Sequence, residues 1–326
     1  MNQIAIIGAG LSGLTLATEL SSFCDITLFE KSPAAGGRMA SRRLADHSFD
    51  HGAQFFSAKT PAFRQFLVPL LEAGVVADWQ ARFVELDNQT ICSRRQWTGE
   101  FPHYVGMPDM ASIGEWLSQG LSIQYNSPIS QLHRTSDKWL LSDNQGHGRG
   151  EFDWVIVTLP ASQSAALLPA TFAEHDVIRQ IQMKACYALM LTLHELPALP
   201  FDAALVKNAD ISWISVNSSK PGRSGAAMVV HATNDWADRH LDTDPALLKQ
   251  DMIQTVCQIS GLVQDNIKHA DIKRWRYANL PTQNGRPFYL DTSRQLAACG
   301  DWCLQGRVEA AFTSAFKLAQ SLTHSL

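Results

Sequence analysis

No stretch of this sequence approaches the ~18–20 consecutive apolar residues that a bilayer-spanning helix needs. No charged-then-apolar leader precedes Gln3-Ile4-Ala5-Ile6-Ile7, which reads as a strand from the outset. The six cysteines, Cys24, Cys92, Cys186, Cys257, Cys299 and Cys303, never form a C-x-x-C pair. A zinc ribbon or a thioredoxin-type centre is therefore not expected, no other metal-ligand spacing stands out, and reduced thiols in a cytoplasmic protein are. Basic clusters are scarce as well. Arg42-Arg43 and Arg94-Arg95 are isolated pairs in a chain of net charge −4, which reads as solvated surface and excludes a nucleic-acid footprint. Internal repeats and low-complexity tracts are missing. Two sequons, at Asn88 and Asn217, carry no meaning without a leader. What remains is 45% hydrophobic and 18% charged, enough apolar material for a large core and too much for disorder.

Against that plain background the two ends of the chain carry strong patterns. Ile4–Ile7 is a continuous apolar run, as a parallel strand covered on both faces requires. Gly13, Leu16, Leu20 and Phe23 then recur at helical spacing, and Ile26–Phe29 reads as a second strand ending at Glu30. Between strand and helix lies Gly8-Ala9-Gly10-Leu11-Ser12-Gly13. The first glycine permits the turn, the second lets backbone approach a pyrophosphate, and the third lets helix pack on strand. Glu30 follows about twenty residues on, where a carboxylate accepts bonds from an adenosine ribose. Gly36-Gly37-Arg38-Met39 offers a second close approach and a charge-assisted donor. Ser122–Tyr125, Ile129–His133 and Trp139–Ser142 read as short strands, with Asp143-Asn144-Gln145-Gly146 as a turn. Asp153–Leu159 is a buried strand stopped by Pro160. Gln295–Cys299, Gly300-Asp301 and a helix from Val308 repeat the strand–turn–helix logic. Val308, Phe312, Ala315, Ala319 and Leu322 share one face of that helix.

The glycine loop, Glu30 and Gly36-Gly37-Arg38 together resemble the FAD-dependent amine oxidase superfamily of glutathione-reductase-type flavoproteins. The runs Gly37–Arg43, Asp50–Phe56 and Cys299–Glu309 resemble its renalase group, bacterial members in particular. Val155–Pro160, Ser219–Arg223, His231-Ala232-Thr233 and Arg274–Tyr277 extend the resemblance over nearly the whole chain. It implies an α/β fold: a discontinuous Rossmann-type FAD domain of the glutathione-reductase kind (1–60, 105–163 and 272–326) and an inserted α+β substrate domain (61–104 and 164–271).

The resemblance also implies site residues. Gly8, Gly10, Leu11, Ser12 and Gly13 hold the pyrophosphate, and Glu30 and Lys31 lie at the ribose. Gly37, Arg38, Met39, Gly52, Ala53, Gln54 and Phe55 line the diphosphate and flavin. Ile129 lies against the adenine, and Thr158 is a further cofactor-binding residue. Gly300 and Asp301 meet the ribityl chain, and Arg307 and Val308 the flavin pyrimidine edge, where a helix N-terminus stabilises negative charge. Asp301 has an alternative as a helix cap, and Glu309 reads as structural. Cys303 lies outside any attachment motif, so FAD is expected to be non-covalent. The polar end Ser321–Ser325 contrasts with the apolar anchor of membrane-bound amine oxidases. Asp109 stands where relatives more often carry glycine.

Trp213, Asn217, His231, Trp236, Trp275 and Tyr277 are the pocket candidates nearest the flavin, although aromatic residues in a β-rich domain are commonly core and His231 could be a satisfied core histidine. No nucleophile–base constellation stands out. Hydride donation by a dihydronicotinamide needs none, because the donor ring gains aromaticity. The resemblance implies oxidation of 2- and 6-dihydro isomers of NAD(P)H by FAD, then oxygen, giving NAD(P)+ and hydrogen peroxide. An amine or polyamine oxidase, an oxidase of a large apolar substrate, and a flavin-binding regulator without turnover are the alternatives.

Overall fold

The computed structural model describes residues 1–44, 47–283 and 285–323. These form two compact units, the described parts of Met1–Arg38, Gly114–Met183 and Leu280–Leu326, and of Met39–Ile113 and Lys184–Asn279. His324 and Ser325 of the polar end lie outside the described residues.

The first unit is a mixed α/β body around a six-stranded sheet. Its order is Phe288–Asp291, Leu296–Cys299, Trp154–Val157, Gln3–Ile7, Asp25–Phe29, Ile123–Gln124. All neighbours are parallel except the antiparallel edge pair Phe288–Asp291 and Leu296–Cys299. Ile4–Ile7 is buried throughout because both faces of this sheet are covered. The helix Leu11–Leu20 packs on the last helix, Val308–Leu322. Phe23, expected on the helical stripe, lies beyond the helix end and is 54% exposed. A three-stranded antiparallel sheet, Ile129–Arg134, Trp139–Asp143 and Gly148–Phe152, buries Trp139, Leu141 and Phe152 in the same core. Its turn closes because Asp143 Oδ1 accepts from the Gln145 and His147 amides at 2.9 and 3.0 Å.

The second unit is built on a seven-stranded sheet. Its order is Ile267–Asn279, Lys184–Leu193, Ala227–Ala232, Ile211–Val216, Ala203–Lys207, Arg82–Asp87, Thr90–Gln96. Strand alternation splits its residues between two faces. One face carries Leu189, Ile214, Met228 and Val230 and packs with Leu248, Met252 and Val256 of the helix Pro245–Ser260. Trp236 belongs to this core and meets Tyr187 edge-on at 5.8 Å, so it is not a pocket residue. Across the other face, cross-strand partners line up as Lys273, Ala188, His231, Trp213 and Leu205.

The unit boundaries differ from the sequence expectation for physical reasons. Residues 39–60 fall in the second unit, where Ser41–Leu44 pairs with His47–Asp50 and Asp50 is tied to Lys220 and Arg223. Residues 105–113 join it because Tyr104–Gly106 pairs with Val76–Asp78. Residues 272–279 complete the strand Ile267–Asn279, and 164–183 bury Leu168, Phe172 and Ile178 in the first unit's core. Among the described residues, no helix is long and apolar enough to cross a membrane.

Candidate active site

In the first unit, the glycine loop forms a cradle at a helix N-terminus. Gly10 caps the helix Leu11–Leu20 with no side-chain bond to its first amides, which leaves those N–H groups free for an anion. A Cβ built on Gly10 would meet nothing within 4 Å, whereas one on Gly13 would lie 2.0 Å from the Gly8 carbonyl oxygen. Gly13 thus serves the fold and Gly10 serves the open space above it. Leu11 and Ser12 are buried, and Ser12 Oγ donates to Ala311 O of the last helix at 2.9 Å. Thr158 Oγ1 donates beneath the loop to the Ile7 and Gly8 carbonyls at 3.0 and 2.9 Å.

Glu30 is buried at the end of its strand. Its carboxylate accepts from the Ala9 amide at 2.9 Å and the Ser32 amide at 2.8 Å, so it shapes the loop as well as facing it. Lys31 beside it is exposed. Gly36 bridges to Gly10, and Gly37 follows with φ +56°. Arg38 Nη1 donates to Asp301 Oδ2 at 2.9 Å while Nη2 donates to Oδ1. Asp301 is therefore not the cap of the last helix. That position is Arg307, which makes no side-chain cap bond. Gly300 is buried and donates its amide to Ser314 Oγ at 2.9 Å. Ile129 is half-buried against the core. Glu309 is buried in the helix's first turn.

The second unit brings the remaining predicted residues around one segment. Asp50 is fully buried. Its carboxylate accepts from Lys220 Nζ at 3.1 Å, Arg223 Nη2 at 2.5 Å, Ser41 Oγ at 2.8 Å and the Met110 amide at 2.9 Å. Burial pushes its pKa up, but Lys220 and Arg223 more than reverse this and hold it at about 2. Gln54 is buried and bonds to Ser215, Lys220 and His231. Trp275 Nε1 donates to His51 O at 2.8 Å and stacks on the His51 ring at 5.3 Å. Burial, with Lys273 and Arg42 nearby, lowers the His51 pKa to about 4. Burial, with Lys220 and His51 nearby, lowers that of His231 to about 3. Both imidazoles are neutral at physiological pH.

Phe55 heads an aromatic cluster, with ring centres 4.9 Å from Trp97, 5.2 Å from His103 and 5.6 Å from Trp213. Asn217 is fully buried and donates to Ser48 O at 2.6 Å, while its Oδ1 has no protein partner. Tyr277 is half-buried near the bulged end of its strand, and Gly52 and Ala53 are partly exposed beside Gln54. Met39 is buried. Sequence reasoning assigned no role to Asp50, Lys220 or Arg223. The only signal was the Lys220-Pro221-Gly222-Arg223 turn, and the carboxylate those cations share lies 170 residues away. Asp109, unexplained from sequence, is buried and holds Arg43 at 2.6 and 3.0 Å and Ser112 Oγ at 3.2 Å.

The first unit's groups suit a dinucleotide: uncapped amides, an open approach at Gly10, a buried carboxylate at the strand end and a guanidinium. Residues 6–70 match the model of the NAD(P)-binding Rossmann-like domain, and residues 81–323 that of the flavin containing amine oxidoreductase. Solved structures share the fold. A candidate protoporphyrinogen oxidase from Exiguobacterium sp. 255-15 aligns over 100% of this chain and 99% of its own at TM-score 0.79 and 14% identity. Two putrescine oxidase variants from a redesign of cofactor binding align over 100% of this chain and 99% of their own, at TM-scores 0.73 and 0.71 and 11% and 12% identity. FAD, held non-covalently, is the cofactor this family implies. The chain belongs to the flavin containing amine oxidoreductase family, with a Rossmann-like dinucleotide-binding region at its N-terminal end.

Proposed function

We propose that this protein is a renalase-like oxidase of glutathione-reductase architecture. It takes hydride from 2- and 6-dihydro isomers of NAD(P)H onto FAD and passes it to oxygen, yielding NAD(P)+ and hydrogen peroxide. Gly8–Gly13 and Arg38 bind the pyrophosphate, Glu30 and Lys31 the ribose, and Ile129 the adenine. Gly52–Phe55, Gly300, Asp301, Arg307 and Val308 serve the flavin end. Trp213, Asn217, His231, Trp275 and Tyr277 orient the donor.

One observation carries the choice of donor: the charge balance on the His231–Trp213 face of the second unit. Among the described residues, three carboxylates around it are paired with cations. Asp50 holds Lys220 and Arg223, Asp271 holds Arg42, and Glu85 holds Lys207. An alkylamine arrives as an ammonium of pKa near 10 and must find a counter-charge and lose a proton. His51 and His231, at about 4 and 3, are poor proton acceptors. Lys220, lowered to about 8 by burial, is only 2% exposed and out of a ligand's reach. An anionic dinucleotide that gives up hydride without prior deprotonation meets no such obstacle.

Anaerobic stopped-flow bleaching of the bound flavin tests this. The 2- and 6-dihydro isomers should bleach it quickly, and 4-dihydro NADH, benzylamine and spermine slowly. A pocket that sets C2 or C6 at ~3–3.5 Å from the acceptor atom cannot set C4 equally well. Faster bleaching by either amine would replace this reading with amine oxidation.

A further inference from the structure

The buried amide of Gln54 can be oriented from chemistry alone. Its Oε1 lies 3.2 Å from Lys220 Nζ and 3.0 Å from Ser215 Oγ. An ammonium has three donors and no acceptor, so the amide atom facing Lys220 is oxygen. At the other end, Nε2 lies against the Asp50 carbonyl and 3.2 Å from the Gly52 carbonyl, both acceptors. The third neighbour of that nitrogen is His231 Nε2, at 3.3 Å. The NH2 group has two hydrogens for these three neighbours, so the one not held by the Asp50 carbonyl lies between the Gly52 carbonyl and His231 Nε2. An amide NH2 offers no lone pair, so in a hydrogen bond at this contact His231 Nε2 is the acceptor and carries no proton. The proton of the neutral ring is then on Nδ1. His51 lies near the ring, and its carbonyl receives Trp275 Nε1 at 2.8 Å.

We propose that Gln54, oriented by Lys220, is a positioning residue that fixes His231 as its neutral Nδ1–H tautomer and pins the segment from Asp50 to Phe55 onto the sheet. Its consequence for the reaction rests on the reading above, in which Gly52–Phe55 serve the flavin. The charges agree. Lys220 faces Asp50, Arg223, the Gln54 oxygen and the Trp79 ring at 5.3 Å. His231 is bounded by Gln54 and His51, with Lys220 nearby, and by Trp213 and Ala188 on the adjoining strands. A proton on His231 would add a further cation to a network where one carboxylate already serves two. The imidazole is thereby held out of acid–base chemistry.

The test reads the tautomer directly. Nitrogen-15 NMR of imidazole-labelled holoprotein, with the His231 signals identified by their loss in His231→Gln, should show an unprotonated Nε2 and no titration between pH 5 and 8. In Gln54→Glu the new carboxylate can only accept. His231 Nε2 should gain a proton and the titration midpoint should rise by roughly one to three pH units. The rate of flavin bleaching by its best donor should then acquire a pH dependence with that midpoint. Lys220→Met should also raise the midpoint, because a neighbouring cation is removed. A protonated Nε2 in the wild type overturns the proposal even if neither variant folds, and so does an unshifted midpoint in a folded Gln54→Glu protein. The NMR measurement needs no substrate. If it holds while no dihydronicotinamide isomer bleaches the flavin, the functional reading alone has failed.

Discussion

Arg38 and Asp301 stand 263 residues apart in the chain and meet in a two-point ion pair in the first unit. The carboxylate is 6% exposed and the guanidinium 31%. The pair joins the turn after Gly36-Gly37 to the turn after the strand Leu296–Cys299. Two segments proposed to hold the pyrophosphate and the ribityl chain of FAD are thereby held in one arrangement. Asp301→Asn keeps the shape and removes the charge. A loss of about 1.5 kcal/mol, roughly tenfold in FAD affinity, is expected for one charge-assisted bond. Fluorescence titration of the apoprotein with FAD measures it, and unchanged affinity would take the pair out of the site.

Gly10 and Gly13 should separate binding from folding. A methyl at Gly10 enters empty space, so Gly10→Ala should fold with an unchanged apoprotein melting temperature and lose FAD occupancy. A methyl at Gly13 would lie 2.0 Å from the Gly8 carbonyl oxygen. Backbone must shift, at a cost of about 3 kcal/mol, and Gly13→Ala should melt well below the wild type. Equal melting temperatures would refute the division of roles.

Glu30 should affect both properties at once. Each of its oxygens accepts a backbone N–H, from Ala9 and Ser32. In Glu30→Gln one of those amides faces an NH2 group, which leaves a buried donor unpaired at about 1–3 kcal/mol. Lower FAD occupancy together with lower apoprotein stability is expected from paired occupancy and denaturation measurements. Lost occupancy with unchanged stability would mean the loop does not depend on these bonds.

Acid should destabilise the second unit before carboxylates titrate. His51 and His231 sit at about 4 and about 3 in the folded chain, against 6.5 unfolded. Below pH 6.5 the unfolded chain binds protons that the folded chain refuses. Stability therefore falls as pH drops towards 4, by up to about 1.4 kcal/mol per pH unit for each histidine. Asp50, held at about 2 against 3.8 in the unfolded chain, adds a further loss between roughly pH 4 and 2. Denaturant midpoints across pH 4–7 should slope accordingly, and His231→Gln should flatten them. An equally steep slope in the variant would exclude His231 as a source.

Denatured protein should release its flavin as intact FAD, identifiable by chromatography. The attachment motif is missing and Cys303 is buried in the first unit's core. Flavin that stays with the precipitated chain, or that elutes as FMN, would contradict non-covalent FAD.

The sequence by itself determined the dinucleotide half of this protein, because its signals are local. A four-residue apolar strand, three glycines at fixed spacing, a carboxylate at the next strand's end and a helical stripe are each set by backbone sterics within one β-α-β unit. Tertiary structure decided the rest. Strand pairing put His231 beside Trp213 on one face, a choice that alternation and register make, and the helix Asn234–Arg239 carried Trp236 into the core of the other. The same folding brought Lys220 and Arg223 to Asp50 and gave Asp109 its partner in Arg43. Those buried charges are tolerable only in pairs, and a pairing across so many residues is written in the folded chain alone.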